Sequence, residues 1–354
     1  MTSPSIRTLL NHLHIAHPIL QAPMAGISTP AMAAAVCEAG GLGALGLGAS
    51  DLASAQAALR ETRARTTRPF NVNLFVHAAA HRDAQREARW IDRLRPEFAA
   101  LNAQPPTTLH EIYTPADPSL FALLLAERPA VVSFHFGLPA PAALQALRAA
   151  GILTIATVTS PAEARTAVAA GIDAIVAQGW EAGGHRGVFD PAASDDRLGT
   201  LALVRALVRQ VEVPVIAAGG IMDGAGIDAV LALGAAAAQL GTAYVPTDES
   251  AADAGFRAAL AGEAAQHTVM TRAISGRPAR CLANRFTALG AGVPDAAIPD
   301  YPVAYDLGKA LNAAGKAQGE DGYGAQWAGQ GDPLARAMSA GALTRTLIAE
   351  MRSG

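Results

Sequence analysis

The sequence of 354 residues predicts an α/β fold, a (β/α)8 TIM barrel carrying a smaller, mostly helical, substrate-capping domain. Three observations predict it. Eight short apolar, β-compatible runs recur up to residue 243, segments of helical pattern separate them, and no Gly-x-Gly-x-x-Gly strand-to-helix turn supports the competing doubly wound sheet.

In order, the runs are Pro18–Met24, Leu42–Gly48, Phe70–Val76, Ala130–Phe136, Ile152–Val158, Ala174–Gln178, Val213–Ala218 and Ala237–Ala243. The sixth lies between Gly171 and Gly179 and reads as a strand covered on both faces. Pro161–Ala170, Leu198–Val211 and Gly224–Leu233 are Ala/Leu-rich with polar residues on one side, as outer helices should be. The third interval, Ala78–Pro129, is longer than one helix and contains Pro105-Pro106 and Tyr113-Thr114-Pro115, so an insertion over the barrel mouth is expected at about 78–129. The barrel is assigned to residues 1–250 and a helical substrate-binding and capping region to 251–330, with breaks at Gly276–Arg280 and Gly290–Pro302. Residues 331–354 are read as a C-terminal helix packing back on the barrel.

Hydrophobic residues make up 51% of the chain and charged residues 16%, which supports a sizeable core and argues against disorder. A formal net charge of −3, with no Lys/Arg cluster interleaved with aromatics, argues against a nucleic-acid partner. The two cysteines, Cys37 and Cys281, exclude a disulfide framework and a cysteine-built metal site and fit a reducing compartment. Met1–Pro18 interrupts its apolar residues with Arg7, Asn11 and three histidines, unlike a signal peptide, and no apolar run reaches the length of a membrane span. A cytoplasmic monomer or homodimer is expected, with neither membrane nor nucleic acid as partner.

The stretch Gln178–Gly187 sets His185 in a glycine-rich turn just past the C-terminal end of the sixth strand, where barrel enzymes carry their chemistry. Gly183 and Gly184 permit conformations and close approaches that a side chain would block. A lone histidine there has a structural reading as well as a catalytic one. In Gln21–Gly26, at the end of the first strand, Pro23 fixes one dihedral and Gly26 relaxes another, so backbone N–H groups could face a flat ligand. Asn71 and Asn73 share one face of the third strand, where their amides need partners from a ligand or from neighbouring backbone. Ala217–Ile221 and Gln239–Thr242 place small residues at the ends of the seventh and eighth strands, an arrangement suited to phosphate when a helix beginning at Asp223 adds its positive end.

Pro302 is placed in the first turn of a helix, so that Tyr301, Tyr305 and Lys309 recur every four residues along one face. That stripe is a small-anion site or a solvated face. Trp327–Gln330 is a further loop over the pocket or a helix end, and His135 reaches either the barrel mouth or a core hydrogen bond. Ser275–Arg280 is basic enough to touch an anion, although loop arginines are usually solvated. The remaining histidines, His77 among them, have no metal-site spacing and are read as structural; no metal is expected.

Taken in order along the chain, these motifs resemble the nitronate monooxygenase family, formerly grouped with the 2-nitropropane dioxygenases, from Gln21 to about Gln330. The Tyr301–Lys309 motif is similar to that of the class acting on propionate 3-nitronate. The resemblance implies an FMN-containing barrel. It implies FMN contacts at Asn71, Gln178, Gly183, Gly220, Gln239, Leu240, Gly241 and Thr242, with Gly219 in the same glycine pair and Pro23, Met24 and Ala25 along the isoalloxazine. It makes His185 the catalytic residue and has Tyr305 and Lys309 hold the substrate carboxylate, with Tyr301, Tyr113 and His135 as further substrate contacts. The implied reaction passes one electron from a nitronate to FMN and from the flavin semiquinone to O2, giving a carbonyl compound and nitrite without NAD(P)H. His185 would orient the nitro group or, for a neutral nitroalkane, remove a proton, a role suited to a pKa near neutrality. Two alternatives stand beside it: an FMN barrel that reduces enoyl thioesters with NAD(P)H, and a non-catalytic flavin-binding protein.

Overall fold

The computed structural model describes residues 4–114 and 117–351; Pro115, read above as part of the insertion, and residues 352–354 of the expected C-terminal segment lie outside them. Among the described residues the strands in chain order are β1 Ile19–Gln21, β2 Ala44–Gly46, β3 Asn71–Phe75, β4 Val131–His135, β5 Leu153–Val158, β6 Ala174–Gln178, β7 Gly184–His185, β8 Val215–Ala218, β9 Ala237–Leu240, β10 Thr268–Thr271 and β11 Ala279–Leu282. Each of the eight apolar runs contains one strand of a single parallel sheet, ordered β1-β9-β8-β6-β5-β4-β3-β2. A parallel bridge between Leu20 and Leu42 joins the first and last strands in that order, so the sheet closes into a barrel.

The outer helices begin where the local chemistry starts helices. Thr29, Asp51, Asp117, Ser160 and Asp223 each cap one by accepting a backbone N–H of its first turn, and Pro30, Pro118, Pro141 and Pro161 occupy opening positions where no N–H is needed. Along each strand, alternate side chains point outward and inward. The outward set, including Leu45, Val72, Val132, Phe134, Ile175 and Ala217, joins the helices in the main core. The inward set divides by height. Leu20, Leu42, Val131, Ile155, Val176 and Ile216 make an apolar floor, which Leu9 and Leu13 of the N-terminal helix Pro4–Leu13 cover. One or two residues further along, the inward positions become Asn73, Ser133, Thr157, Gln178 and Gln239, all lining a cavity at the C-terminal mouth.

A second core stands over that mouth. Trp90, Leu94 and Phe98 of the helix Ala84–Ala100, inside the insertion, pack with Ile274, Phe286, Leu307 and Leu311 from beyond the barrel. Insertion and later region therefore build one capping body. Beside its helices the cap also holds a small sheet that the sequence did not announce: β10 and β11 pair antiparallel, and β11 pairs with β7, in which Ala279 faces His185 and Arg280 faces Gly184. The fully buried strand β11 was hidden because Arg280 interrupts its apolar pattern. Pro302 also differs from expectation, since the helix Val303–Ala317 starts just after it and leaves it as the cap residue.

The helix Ala340–Glu350 returns to the barrel, with Leu343 and Leu347 in the main core. Its Thr344 hydroxyl donates to the Ala340 carbonyl and accepts from the buried Tyr244 phenol at 2.9 Å. Thr344→Val keeps the shape but orphans that phenol, and should lower unfolding free energy by about 1–3 kcal/mol in urea titration.

Candidate active site

The chain leaves β6 at Gln178 and returns as β7 six residues later, at Gly184, and the side chains of that excursion hold it in place. The Gln178 amide donates from Nε2 to the His185 carbonyl at 3.0 Å and accepts at Oε1 from the Gly187 N–H at 2.7 Å. Arg186, buried, donates to the Gln178 carbonyl and makes a two-pronged ion pair with Asp195 at 2.7 and 3.1 Å. Arg280 donates twice to the Trp180 carbonyl. Both oxygens of Glu181 accept the Thr200 N–H, at 3.0 and 2.8 Å, and so cap a helix whose own cap residue is Gly199. Trp180, Glu181 and Arg186, which had no role in the sequence reading, thus fix the turn. Gly183 is required by a close approach: a Cβ there would stand 2.4 Å from the Gly329 nitrogen. Gly184 takes φ +73°, where side chains are disfavoured.

The turn delivers His185 to the wall of a cavity of about 470 Å³, within the range of small-molecule sites. His135, Tyr301, Tyr305, Lys309, Tyr113 and Trp327 line the same space. His185 lies 5.3 Å from Tyr301, 6.0 Å from Tyr305 and 5.0 Å from Trp327 between ring centroids. Tyr301 and Tyr305 flank one side of the cavity even though Tyr301 precedes the helix, and Lys309 Nζ sits 4.8 Å from the Tyr113 ring and 5.4 Å from that of Tyr305. Trp327 belongs to a loop over the pocket, one of the two readings its sequence allowed.

Burial sets the electrostatics. It pushes the His185 imidazole down to about 3, with His135, Arg277 and His77 adding to the effect. His135 is driven down to about 4, again by burial first. The near-neutral titration expected of His185 is therefore overturned, and both rings are neutral at physiological pH. His135 donates from Nε2 to the His185 carbonyl at 3.1 Å. His185 Nε2 is paired with the Ser275 hydroxyl at 2.9 Å, which leaves Nδ1 as the other polar atom of the ring. The Tyr301 phenol is held well above its ordinary value by burial and has no hydrogen-bond partner in its buried setting. Lys309 is half-buried, its pKa lowered by burial, and forms no ion pair among the described residues.

The opposite end of the cavity is lined by backbone. Gly219 and Gly220 take φ +125° and +71°, and a Cβ on Gly219 would lie 2.7 Å from Thr200 Oγ1. Gly241 precedes the short 3-10 helix Thr242–Tyr244, and Thr242 Oγ1 accepts from the Gly329 N–H at 3.0 Å while keeping its own proton to donate. The helix after Asp223 does not contribute as expected: Asp223 caps its Gly226 N–H and Glu350 takes its Gly224 N–H, so its positive end is already satisfied by carboxylates.

At the first strand, Pro23, Met24 and Ala25 line the cavity, brought close by Gly46, where a Cβ would lie 2.7 Å from the Ala25 nitrogen. Asn71 and Asn73 both donate to Ser133 Oγ at 2.9 Å. Asn73 lines the cavity whereas Asn71 lies just below it, its Oδ1 buried without a partner; the Leu240 side chain faces the outer core. Gln178 lines the cavity with its amide already committed to the turn. Sequence reasoning gave no role to Phe136 or to the Ser275 hydroxyl behind the wall. Of the two readings left for the Ser275–Arg280 arginines, solvation is overturned, since Arg277 and Arg280 are both 3% exposed. No cluster of metal-binding side chains occurs among the described residues, and no helix there is long and apolar enough to cross a membrane.

Fold and site together define a TIM-barrel enzyme that works on a small molecule at the C-terminal mouth of its barrel. A family model for nitronate monooxygenase matches residues 7–350. A nitronate monooxygenase of Paraburkholderia phytofirmans is 58% identical over 98% of this chain and 95% of its own. Among solved structures, the nitroalkane oxidase from Streptomyces ansochromogenes superposes with a TM-score of 0.89 at 42% identity, covering 97% of each chain. FabK from Thermotoga maritima is more distant, with a TM-score of 0.73 at 29% identity over 97% of this chain and 95% of its own. The chain belongs to the nitronate monooxygenase family, a family of oxidoreductases.

Unfolded imidazoles titrate near 6.5, so between that value and the depressed folded values the unfolded chain binds more protons, and stability falls as pH drops through 6.5. From pH 7 to pH 5, His135 should account for about 2 kcal/mol of lost stability. Urea titrations at the two pH values should show a drop smaller by that amount in His135→Gln. An equal drop in both proteins would mean that His135 is not held neutral.

Proposed function

We propose that this protein binds FMN in the barrel mouth and uses it with O2 to convert alkyl nitronates, propionate 3-nitronate among them, to a carbonyl compound and nitrite, without NAD(P)H. One observation carries the reading: two neutral buried imidazoles, the unpartnered Tyr301 phenol and the unpaired Lys309 ammonium converge on one cavity. Membership of the nitronate monooxygenase family supports it.

The residues present fit the cofactor. Asn73, Ser133, Thr157 and Gln239 put amides and hydroxyls on the cavity wall above the floor, where they can meet the polar edge of a flat ring, and Gly46 leaves room for the backbone of Met24 and Ala25 to approach it. In this reading Pro23, Met24 and Ala25 lie along that ring, with Asn71, Gln178, Gly183 and Gln239 at its polar atoms. Gly219, Gly220, Leu240, Gly241 and Thr242 hold the phosphate through backbone N–H groups and the Thr242 hydroxyl. FMN supplies one-electron redox capacity that no side chain here possesses.

The protein's own part is binding and orientation. Lys309 and Tyr305 hold the substrate carboxylate, with Tyr113 and Tyr301 closing the space around it. His185 and His135 present uncharged rings toward the nitro group. A neutral imidazole whose conjugate acid is this strong is a weak base, so His185 orients a substrate that arrives already deprotonated. The carboxylate stripe distinguishes this reading from enoyl-thioester reduction.

The purified protein should carry FMN, and anaerobic addition of propionate 3-nitronate should change its visible flavin spectrum. Rapid bleaching by NADH or NADPH, with silence toward the nitronate, would overturn the reading. Lys309→Met should raise KM for propionate 3-nitronate by about 10- to 100-fold, the worth of one charged hydrogen bond, and leave nitronates lacking a carboxylate almost unchanged. For preformed nitronate, kcat/KM should show no ionisation near pH 6.5; a limb there that disappears in His185→Asn would contradict a neutral His185.

A further inference from the structure

Behind the histidine wall lies a charge that the reaction as described does not use. Arg277 is 3% exposed, and its guanidinium carbon stands 4.3 Å from the centroid of the Phe136 ring. One amino group donates to the Val188 carbonyl, while Nε is buried without a partner. No ion pair among the described residues includes it. The carboxylates that act on it from farther off, Asp190 and Glu163, are engaged by the backbone N–H groups of Ala192, Thr159 and Phe189. The neighbouring cation Arg272 is paired with Asp295. Arg277 is therefore a cation with no direct ion-pair partner, balanced only from a distance by Asp190 and Glu163, in a low-dielectric interior where charge acts strongly and salt screens it little.

Phe136 lies between that charge and the rings of the site. It takes φ +75°, a rare and strained conformation for a bulky residue, and such strain persists where surrounding contacts enforce it. Its ring centroid lies 4.6 Å from His135, 5.6 Å from His185 and 5.4 Å from Tyr301. Its face meets the guanidinium, as the ring's quadrupole favours.

We propose that Arg277 is the specificity-determining charge of this site, making the cavity select anionic over neutral N-oxygenated substrates from behind Phe136 and the histidines. The proposal rests on the nitronate reading for the identity of the substrate, and on the geometry alone for the sign of the charge selected. Its action is distinct from that of Lys309, which lines the cavity among Tyr113 and Tyr305 and is placed for the carboxylate. Arg277 biases the end at which the nitrogen–oxygen group sits.

The test compares the holoprotein with Arg277→Met, which keeps bulk and removes charge, and Arg277→Lys, which keeps charge. The ratio of kcat/KM for a nitronate to that for its neutral nitroalkane should fall about 10-fold or more in Arg277→Met and stay within about 3-fold in Arg277→Lys. Equal loss on both substrates, or an unchanged ratio, would overturn the proposal. Equilibrium binding of nitrate and of nitromethane gives a readout that needs no turnover. Nitrate should weaken about 10-fold in Arg277→Met and nitromethane hardly at all. A protein silent toward nitronate that still shows this contrast would refute the substrate and leave the charge assignment standing. Should Arg277→Met fail to fold, the unmodified protein decides: the preference for nitrate should hold when salt of ions too bulky for the cavity rises from about 0.05 to about 0.5 M. Its collapse would place the selecting charge at the surface and sink the proposal.

Discussion

The mouth of this barrel depends on one side chain spanning its own turn. Gln178 ends β6 with an amide that takes the Gly187 N–H and gives a proton to the His185 carbonyl, so the intervening loop is clamped at both ends. With the loop clamped, Gly184 and His185 can lie against β11 as a third strand, which ties the capping body to the barrel at the point where the two share a cavity. The same carbonyl accepts from His135, so the two imidazoles are positioned relative to one another through backbone. A glutamine that only touched a ligand would not impose this order.

The polarity gradient inside the barrel follows from the two-residue period of strands. Along each strand the inward residue changes from apolar to polar in one step of two: Val131 to Ser133, Ile155 to Thr157 and Val176 to Gln178. That single step separates a dry floor from a site able to hold a polar ring. It also explains why Asn71 and Asn73, on one face of β3, differ: both donate to Ser133, but only the upper one lines the open space.

Much of this was legible in the sequence. The eight barrel strands are buried on both faces, so each announced itself as an apolar run, and the helices between them opened on ordinary caps. His185, Tyr301, Tyr305 and Lys309 were legible because a strand end and a four-residue spacing are local patterns. What escaped depends on contacts between distant segments. Ser275 meets His185 across 90 residues of chain, and Arg277 is buried by elements that no local window contains. The titration of His185 was misread for the same reason, since the depth that drives its imidazole down to about 3 is a property of the assembled cap. The helix after Asp223 was misread because Glu350, contributed from the far end of the chain, already occupies its first turn.

The N-terminal helix sets a condition on traffic. Leu9 and Leu13 stopper the barrel beneath the apolar floor, which makes the interior a cul-de-sac whose open end is crowded by the cap. In such a space arrivals queue. Whatever occupies the deepest position must be seated first and is the last to depart, so a molecule resting beside His185 bars the exit of anything beneath it. Retention of a deep occupant would then owe less to the strength of its own contacts than to its place in line.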